Sequence, residues 1–424
     1  MVLTRRATLA SKSIIRWLPN EMLTAVMRDA SKPDLLALSA TSRLFRNIAT
    51  PLLYRTIQLS TIAQVNYFLR TMEQRSGTLL SRYVRNITIT AGHGDRLKIT
   101  LSLPLVTVTA LGSVLPRLCH LERLKLEVSE VTPSSGFVDM LQHAQFPNLS
   151  AFHHSLRMDT AALVSSFINR HPTITNLTLT LRERLEQWNP ILLPNLTVYH
   201  GPSTSIASVD FHGRSVALVS LSWYPDDFEV EQPLLQLGSI ASPEIFMAIF
   251  CDLEGTTILG STARNLPHVR HIHFRKTLET PQGVSPHDAL EIADLLKKFD
   301  ALSILELFID QRTEHDSERD RETIVLWGEA CKTLVWIALY EGRWMRVQGH
   351  WIFAIRFSSA NPPCLHISYT LVRAYGANVV CLVRVYLPRP LNADSGPETP
   401  LFWASMAATF QTFLNSEVGA AQRK

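Results

Sequence analysis

No Cys-x-x-Cys pair occurs in this chain, and its five cysteines, Cys119, Cys251, Cys331, Cys364 and Cys381, are scattered and odd in number. Neither a zinc ribbon nor a disulfide framework is expected, and reduced thiols point to the cytoplasm or the nucleus. No apolar run is long enough to span a membrane, so no membrane partner is expected. An excess of one charge is missing too. Lys and Arg number 41 against 37 Asp and Glu, a net charge of +4 over 424 residues, which gives no ground for a nucleic-acid partner. Gly92-His93-Gly94 is not followed by the Gly-Lys-Ser/Thr of a phosphate loop, and no Gly-x-Ser-x-Gly occurs. No nucleophile stands with a base, so no enzyme, no catalytic residue and no cofactor is expected. His153-His154 and His271-x-His273 lack an acid or Cys at ligand spacing, so no metal is expected there either. Asp226, Asp227, Glu229 and Glu231, and the mixed run Glu314 to Glu322, read as solvated surface.

What is present is a hydrophobic content of 46%, which excludes general disorder. The length allows two or three domains, or one repeat array. The most organised stretch is Leu18 to Leu59. Pro19 suits a first helical turn, where its missing N–H is an orphan anyway. Met22, Leu23, Val26 and Met27 then form one helical stripe. Ser31 is an N-cap for a second helix with Pro33 and Asp34 at its start and Leu35, Leu36 and Leu38 behind them. Ser42 opens a third, carrying Leu44, Phe45 and Ile48, and Pro51 is expected to end it. Three short helices cannot bury all these apolar residues against one another, so part of that surface must meet something else.

These residues resemble an F-box. Leu18-Pro19, the acid Glu21, the Leu-rich Leu35-Leu36-Ala37-Leu38 and the basic-aromatic Arg43-Leu44-Phe45-Arg46 carry the resemblance. The ending Ala49-Thr50-Pro51-Leu52-Leu53-Tyr54 is similar to that of fungal members, while Phe45 stands where many members have Trp. The resemblance implies binding to a Skp-type adaptor, and through it to a cullin-RING ubiquitin ligase. Leu18, Pro19, Glu21, Met22, Leu35, Leu36, Leu38, Leu44 and Phe45 would form the adaptor face. The chain would then be a non-catalytic substrate-recognition subunit. The alternative is a repeat scaffold whose F-box acts outside a ubiquitin ligase.

Further on, Thr61 to Gln74 reads as an amphipathic helix with Gly77 as its stop. From Val84 an apolar pattern recurs with spacings of three and two. It is seen at Val84-Ile87-Ile89, Leu121-Leu124-Leu126, Leu149-Phe152-His154, Ile174-Leu177-Leu179 and Leu196-Tyr199-Gly201. It continues at Leu218-Leu221-Trp223, Val269-Ile272-Phe274, Leu302-Leu305-Leu307 and Leu334-Ile337-Leu339, with one copy unreadable between Leu218 and Val269. Helical stripes fall between the copies: Phe137, Val138, Met140 and Leu141, then Leu163, Val164, Phe167 and Ile168. Ser242-Pro243 and Ser285-Pro286 read as further helix starts. Alternating strands and helices predict parallel strands stacked in sequence order, loosely similar to leucine-rich-repeat F-box proteins. A generic α/β domain is the alternative.

The expected class is α+β: a three-helix F-box followed by an irregular α/β leucine-rich-repeat-like solenoid. Its parts are a flexible arm over 1–13, the F-box over 14–59 and a linking helix over 60–79. The solenoid covers 80–390, with Val379 to Leu387 a buried strand, and 391–424 holds a capping helix at Phe402 to Leu414 and a tail. The sequons at Asn86, Asn148, Asn176 and Asn195 are not expected to be glycosylated. Strand alternation places Arg123, Lys125 and Glu127, and Asn176, Thr178 and Thr180, on an outward face. His271, His273 and Arg275, then Ile304, Glu306 and Phe308, then Trp336, Ala338 and Tyr340 follow by the same count. Phe308, Trp336 and Tyr340 are thus expected as an exposed aromatic patch beside the basic strip of His271, His273 and Arg275, suited to an unknown protein substrate that is acidic or phosphorylated. The competing expectation is that the strand at 379–387 or the final helix covers the patch.

Overall fold

The structure, a computed structural model, describes residues 18–386 except for 75–76, 91–104, 128–140, 157–160, 182–188, 212–215, 225–226, 228, 241–242, 252–254, 277–283, 310–316, 341, 348, 358–365 and 374–378. The arm at 1–13, Phe137 to Met140 and the helix expected at Phe402 to Leu414 lie outside the described residues. The chain is a mixed α/β protein that divides into two compact units, Met1–Val269 and Arg270–Lys424. No described helix is long and apolar enough to cross a membrane.

The first unit opens with α1 (Asn20–Arg28), α2 (Lys32–Thr41) and α3 (Arg43–Arg55). The Ser31 hydroxyl caps α2 by accepting from the Asp34 N–H, and Ser42 caps α3 by accepting from the Phe45 N–H. Pro51 does not end α3, which runs on to Arg55. Ile48, Leu52 and Leu53 pack beside a small core of Met27, Leu35 and Ala49, and that burial outweighs the one backbone hydrogen bond the ring forfeits.

α3 passes without a linker into β1 (Thr56–Leu59), which pairs in parallel with β2 (Asn86–Thr90). The Lys32 ammonium reaches from α2 to the Thr56 carbonyl at 3.1 Å. α4 (Ile62–Glu73) lies between, capped by Thr61 on Gln64. Gly77 follows it so closely that a Cβ would stand 2.2 Å from the Met72 carbonyl oxygen. α5 is Leu105–Val114. Then come β3 (Arg123–Glu127), β4 (Ala151–Leu156), α6 (Ala161–Asn169), β5 (Asn176–Leu181), β6 (Val198–Pro202), β7 (Leu218–Trp223), α7 (Glu231–Ile240), β8 (Ile245–Phe250) and α8 (Gly255–Asn265). Strands β1 to β8 pair in chain order, every neighbour parallel.

One joint recurs along this ladder. A turn closes from the carbonyl of a buried residue to the N–H three residues on, as from Leu118 to Leu121, Phe146 to Leu149, His171 to Ile174 and Leu193 to Leu196. A single carbonyl of each preceding segment, such as Glu122, Ser150 or Thr175, then accepts from two successive N–H groups of the next. Ser150, Thr175 and Thr197 add their hydroxyls to the same carbonyls. The inward positions Ile87, Leu124, Phe152, Leu177 and Tyr199 are all buried, as the spacing predicts, and Val219, which pairs with Tyr199, is buried in line with them.

Two readings of the strand ladder need correction. The sixth copy is Val216-Val219-Leu221, two residues earlier than the apolar spacing of Leu218-Leu221-Trp223 suggests, because Tyr199 pairs with Val219. The unreadable copy is β8, with Phe246 and Ala248 inward, so Ser242-Pro243 precedes a strand and not a helix. Its run IFMAIF is apolar on both faces and shows no alternation to read.

The second unit has β9 (His271–Lys276), α9 (Pro286–Leu296), β10 (Ile304–Ile309), α10 (Ser317–Ala330) and β11 (Trp336–Leu339), the three strands parallel. Ser285 and Asp288 form a reciprocal capping box for α9. Trp327 is buried against α9, its indole N–H donating to the Ala289 carbonyl at 2.9 Å. After β11 the sheet turns antiparallel through β12 (Gly342–Val347), β13 (His350–Phe357), β14 (His366–Arg373) and β15 (Val379–Tyr386).

Candidate functional site

In the helical module, Leu35 is buried and Leu38 and Phe45 pack against it, so these three hold the module together instead of facing outward. Leu18 and Leu44 are half-buried, while Pro19 and Glu21 are exposed. The open apolar surface consists of Met22, Val26 and Leu36, exposed by 54%, 72% and 58%. Val26 was absent from the expected face. It lies one helical turn from Met22 and therefore on the same side of α1, a signal the stripe already contained. Apolar groups this exposed on so small a module lose their cost only when something covers them.

The outward face of the second unit collects His271, His273 and Arg275 from β9, Ile304, Glu306 and Phe308 from β10, and Trp336 and Ala338 from β11. β12 adds Arg343 and Met345 through the pairs Ala338–Arg343 and Trp336–Met345. The Glu306 carboxylate accepts from His273 Nδ1 at 2.9 Å and lies 3.4 Å from His271 Nε2. Burial pushes the Glu306 carboxyl up, but the two imidazoles outweigh it and hold it down at about 2. The Phe308 ring sits between the His273 ring, 4.9 Å away, and the Arg343 guanidinium, 4.7 Å over its centroid. Arg275 is exposed at the end of this strip.

The expected aromatic patch is only partly there. Trp336 and Phe308 are half-buried. Tyr340 is buried at 6% exposure, and its hydroxyl accepts from the Val284 N–H. Its φ of 57° takes the chain out of strand geometry into the turn toward β12, so the alternation stops at Leu339. Arg343 lies beyond the last copy of the apolar pattern, on β12, so the repeat spacing alone does not point to it.

The outward face of the first unit changes character along the ladder. Lys125 and His153 both meet Glu127, at 2.9 and 3.1 Å. Burial lowers the His153 pKa, with Glu127 opposing it. Asn176 and Thr180 are exposed and Thr178 half-buried, as alternation predicts, and Asn86 donates to the Thr56 hydroxyl. Farther along, Leu218, Ile245, Met247 and Ile249 make the face apolar and half-buried. Among the described residues no group of three His, Cys, Asp or Glu is arranged to hold a metal ion.

Comparison with models of known protein families finds no match, and comparison with curated proteins finds none either.

Proposed function

We propose that the chain is the non-catalytic substrate-recognition subunit of a Skp–cullin–F-box ubiquitin ligase. The N-terminal helices bind the Skp-type adaptor, and the outward faces of an irregular leucine-rich-repeat-like strand array bind a substrate protein. The observation that carries this reading is the exposed apolar set Met22, Val26 and Leu36 on a module whose own core is already filled by Met27, Leu35 and Ala49. The Leu18-Pro19 opening and three consecutive short helices, the second and third capped by Ser31 and Ser42, support the F-box reading.

The test is co-purification of the full chain with the adaptor, beside two variants. Met22→Glu with Leu36→Glu leaves the module core intact and should abolish the complex, since truncated apolar anchors commonly cost about 2 kcal/mol each. Leu18→Ala with Pro19→Ala should do the same while the rest of the chain stays folded. Unchanged co-purification of both variants refutes the adaptor reading and leaves the scaffold alternative.

A further inference from the structure

The outward face of β3 to β8 in the first unit carries one row of side chains in register. Arg123, Ala151, Asn176, Val198, Leu218 and Ile245 are successive Cα partners across the six strands. Each stands one residue before a buried inward position, so all six share the outward side. The row changes character in one direction. It begins with a cation, passes a methyl group and an amide, and ends in three aliphatic side chains. Arg123 and Asn176 are exposed, and the other four are half-buried.

Arg123 makes no ion pair among the described residues. The two carboxylates nearest it in sequence are engaged elsewhere. Glu122 lies 3.6 Å from Arg85, and Glu127 meets Lys125 and His153 at 2.9 and 3.1 Å. The start of the row therefore keeps one guanidinium for an outside carboxylate, which its planar fork fits. At the other end, the outward positions of β6, β7 and β8 hold no Lys, Arg, Asp or Glu. An apolar group gains there without stranding a charge. Between the two ends, the Asn176 amide can donate to a peptide carbonyl.

The spacing defines what fits. Strands lie about 4.8 Å apart, so Val198 is about 14 Å and Leu218 about 19 Å from Arg123 along the row. An extended chain advances about 3.3 Å per residue and turns every second side chain to the same side. A carboxylate at position i over Arg123 thus brings positions i+4 and i+6, about 13 and 20 Å on, over Val198 and Leu218. Both chain directions satisfy this spacing.

We propose that this row docks an extended segment of a partner protein, one that carries an Asp or Glu on Arg123 and aliphatic side chains four and six residues away on Val198 and Leu218. The proposal rests on the reading of the strand array as a substrate-binding surface and specifies what the first unit recognises.

The experiment is selection of random dodecapeptides displayed on phage by the immobilised full chain. Enriched peptides should carry an acid and two aliphatic residues at that spacing. Arg123→Glu should replace the acid by Lys or Arg in the enriched set and weaken binding of a parent-selected peptide at least tenfold, read by fluorescence anisotropy. Leu218→Lys should remove the aliphatic preference at i+6. Both substitutions lie on the outward side and should melt near the parent temperature; if Leu218→Lys does not, Arg123→Glu alone decides. No enrichment, enrichment without the spacing, or an acid preference unchanged in Arg123→Glu overturns the proposal. A chain that is dimeric in solution and becomes monomeric in Leu218→Lys also overturns it, because a second copy then holds the face. Adaptor co-purification keeps the two readings apart. Selection of the motif by a chain that fails to bind the adaptor leaves this proposal standing, and adaptor binding without motif selection removes this proposal alone.

Discussion

At the scale of single residues, the positions that break the apolar pattern are the informative ones. Leu196-Tyr199-Gly201 looks like a decayed copy, yet a Cβ on Gly201 would lie 2.2 Å from the Tyr199 hydroxyl oxygen. The tyrosine reaches over its own strand to the Ser205 hydroxyl and fills the space a leucine at 201 would take. Gly201→Leu alone should therefore cost about 2 kcal/mol or more, and Tyr199→Leu with Gly201→Leu should regain most of it. Denaturant midpoints of the two variants check this, and strict additivity would contradict it. Glu306 gives a second prediction. Its carboxyl is held near 2 against an ordinary 4.5, so its contribution is complete above pH 4.5 and lost as pH falls toward 2. Glu306→Gln should lower stability by on the order of 1–2 kcal/mol at pH 7 and by almost nothing near pH 2, read from thermal melts. Neither pairing was visible beforehand. The sequence shows that Tyr199 and Gly201 share a face, but side-chain reach and the cross-strand partner of His273 depend on register.

Among elements, legibility followed the contrast between the two faces of each strand. β2, β3 and β5 alternate cleanly between Leu or Ile and polar residues and were read to the residue. β8 is apolar on both sides and carries no alternation to read, and the apolar spacing places β7 two residues late because Leu218 is apolar on the outward face. The end of the helical module was misread for another reason. Pro51 is a local signal, and tertiary packing of Leu52 and Leu53 overrides it. Its consequence is that α3 delivers the chain straight into β1, where Ile57 pairs with Ile87 and Leu59 with Ile89. Chains truncated at either side of β1 should thus differ. One beginning at Thr56 should keep a cooperative transition. One beginning at Ser60 should melt several degrees lower and aggregate, because the edge of β2 is left bare and the burial of Ile57 and Leu59 is lost. Equal melting temperatures would show that β1 contributes nothing to the sheet.

For the whole molecule, the N-terminal helices are the centre of the proposed function. Under the proposed function an adaptor covers them, and the distribution of burial gives a partner an apolar surface on which it has something to gain. Met22, Val26 and Leu36 stay open while the residues beside them in sequence, Leu23, Met27 and Leu35, are buried. The strand array offers faces that are charged at one end of the first unit and apolar at the other, and a histidine-clasped carboxylate beside an arginine-capped ring in the second. Such mixed faces suit contact with a protein more than chemistry on a small substrate. The measurement that bears most directly on this account is calorimetric titration of the full chain with a purified Skp-type adaptor. The account predicts one adaptor per chain, a Kd below about 1 µM, and a negative heat-capacity change from apolar burial. Absence of binding at about 100 µM adaptor, with the chain shown to be folded, would contradict it.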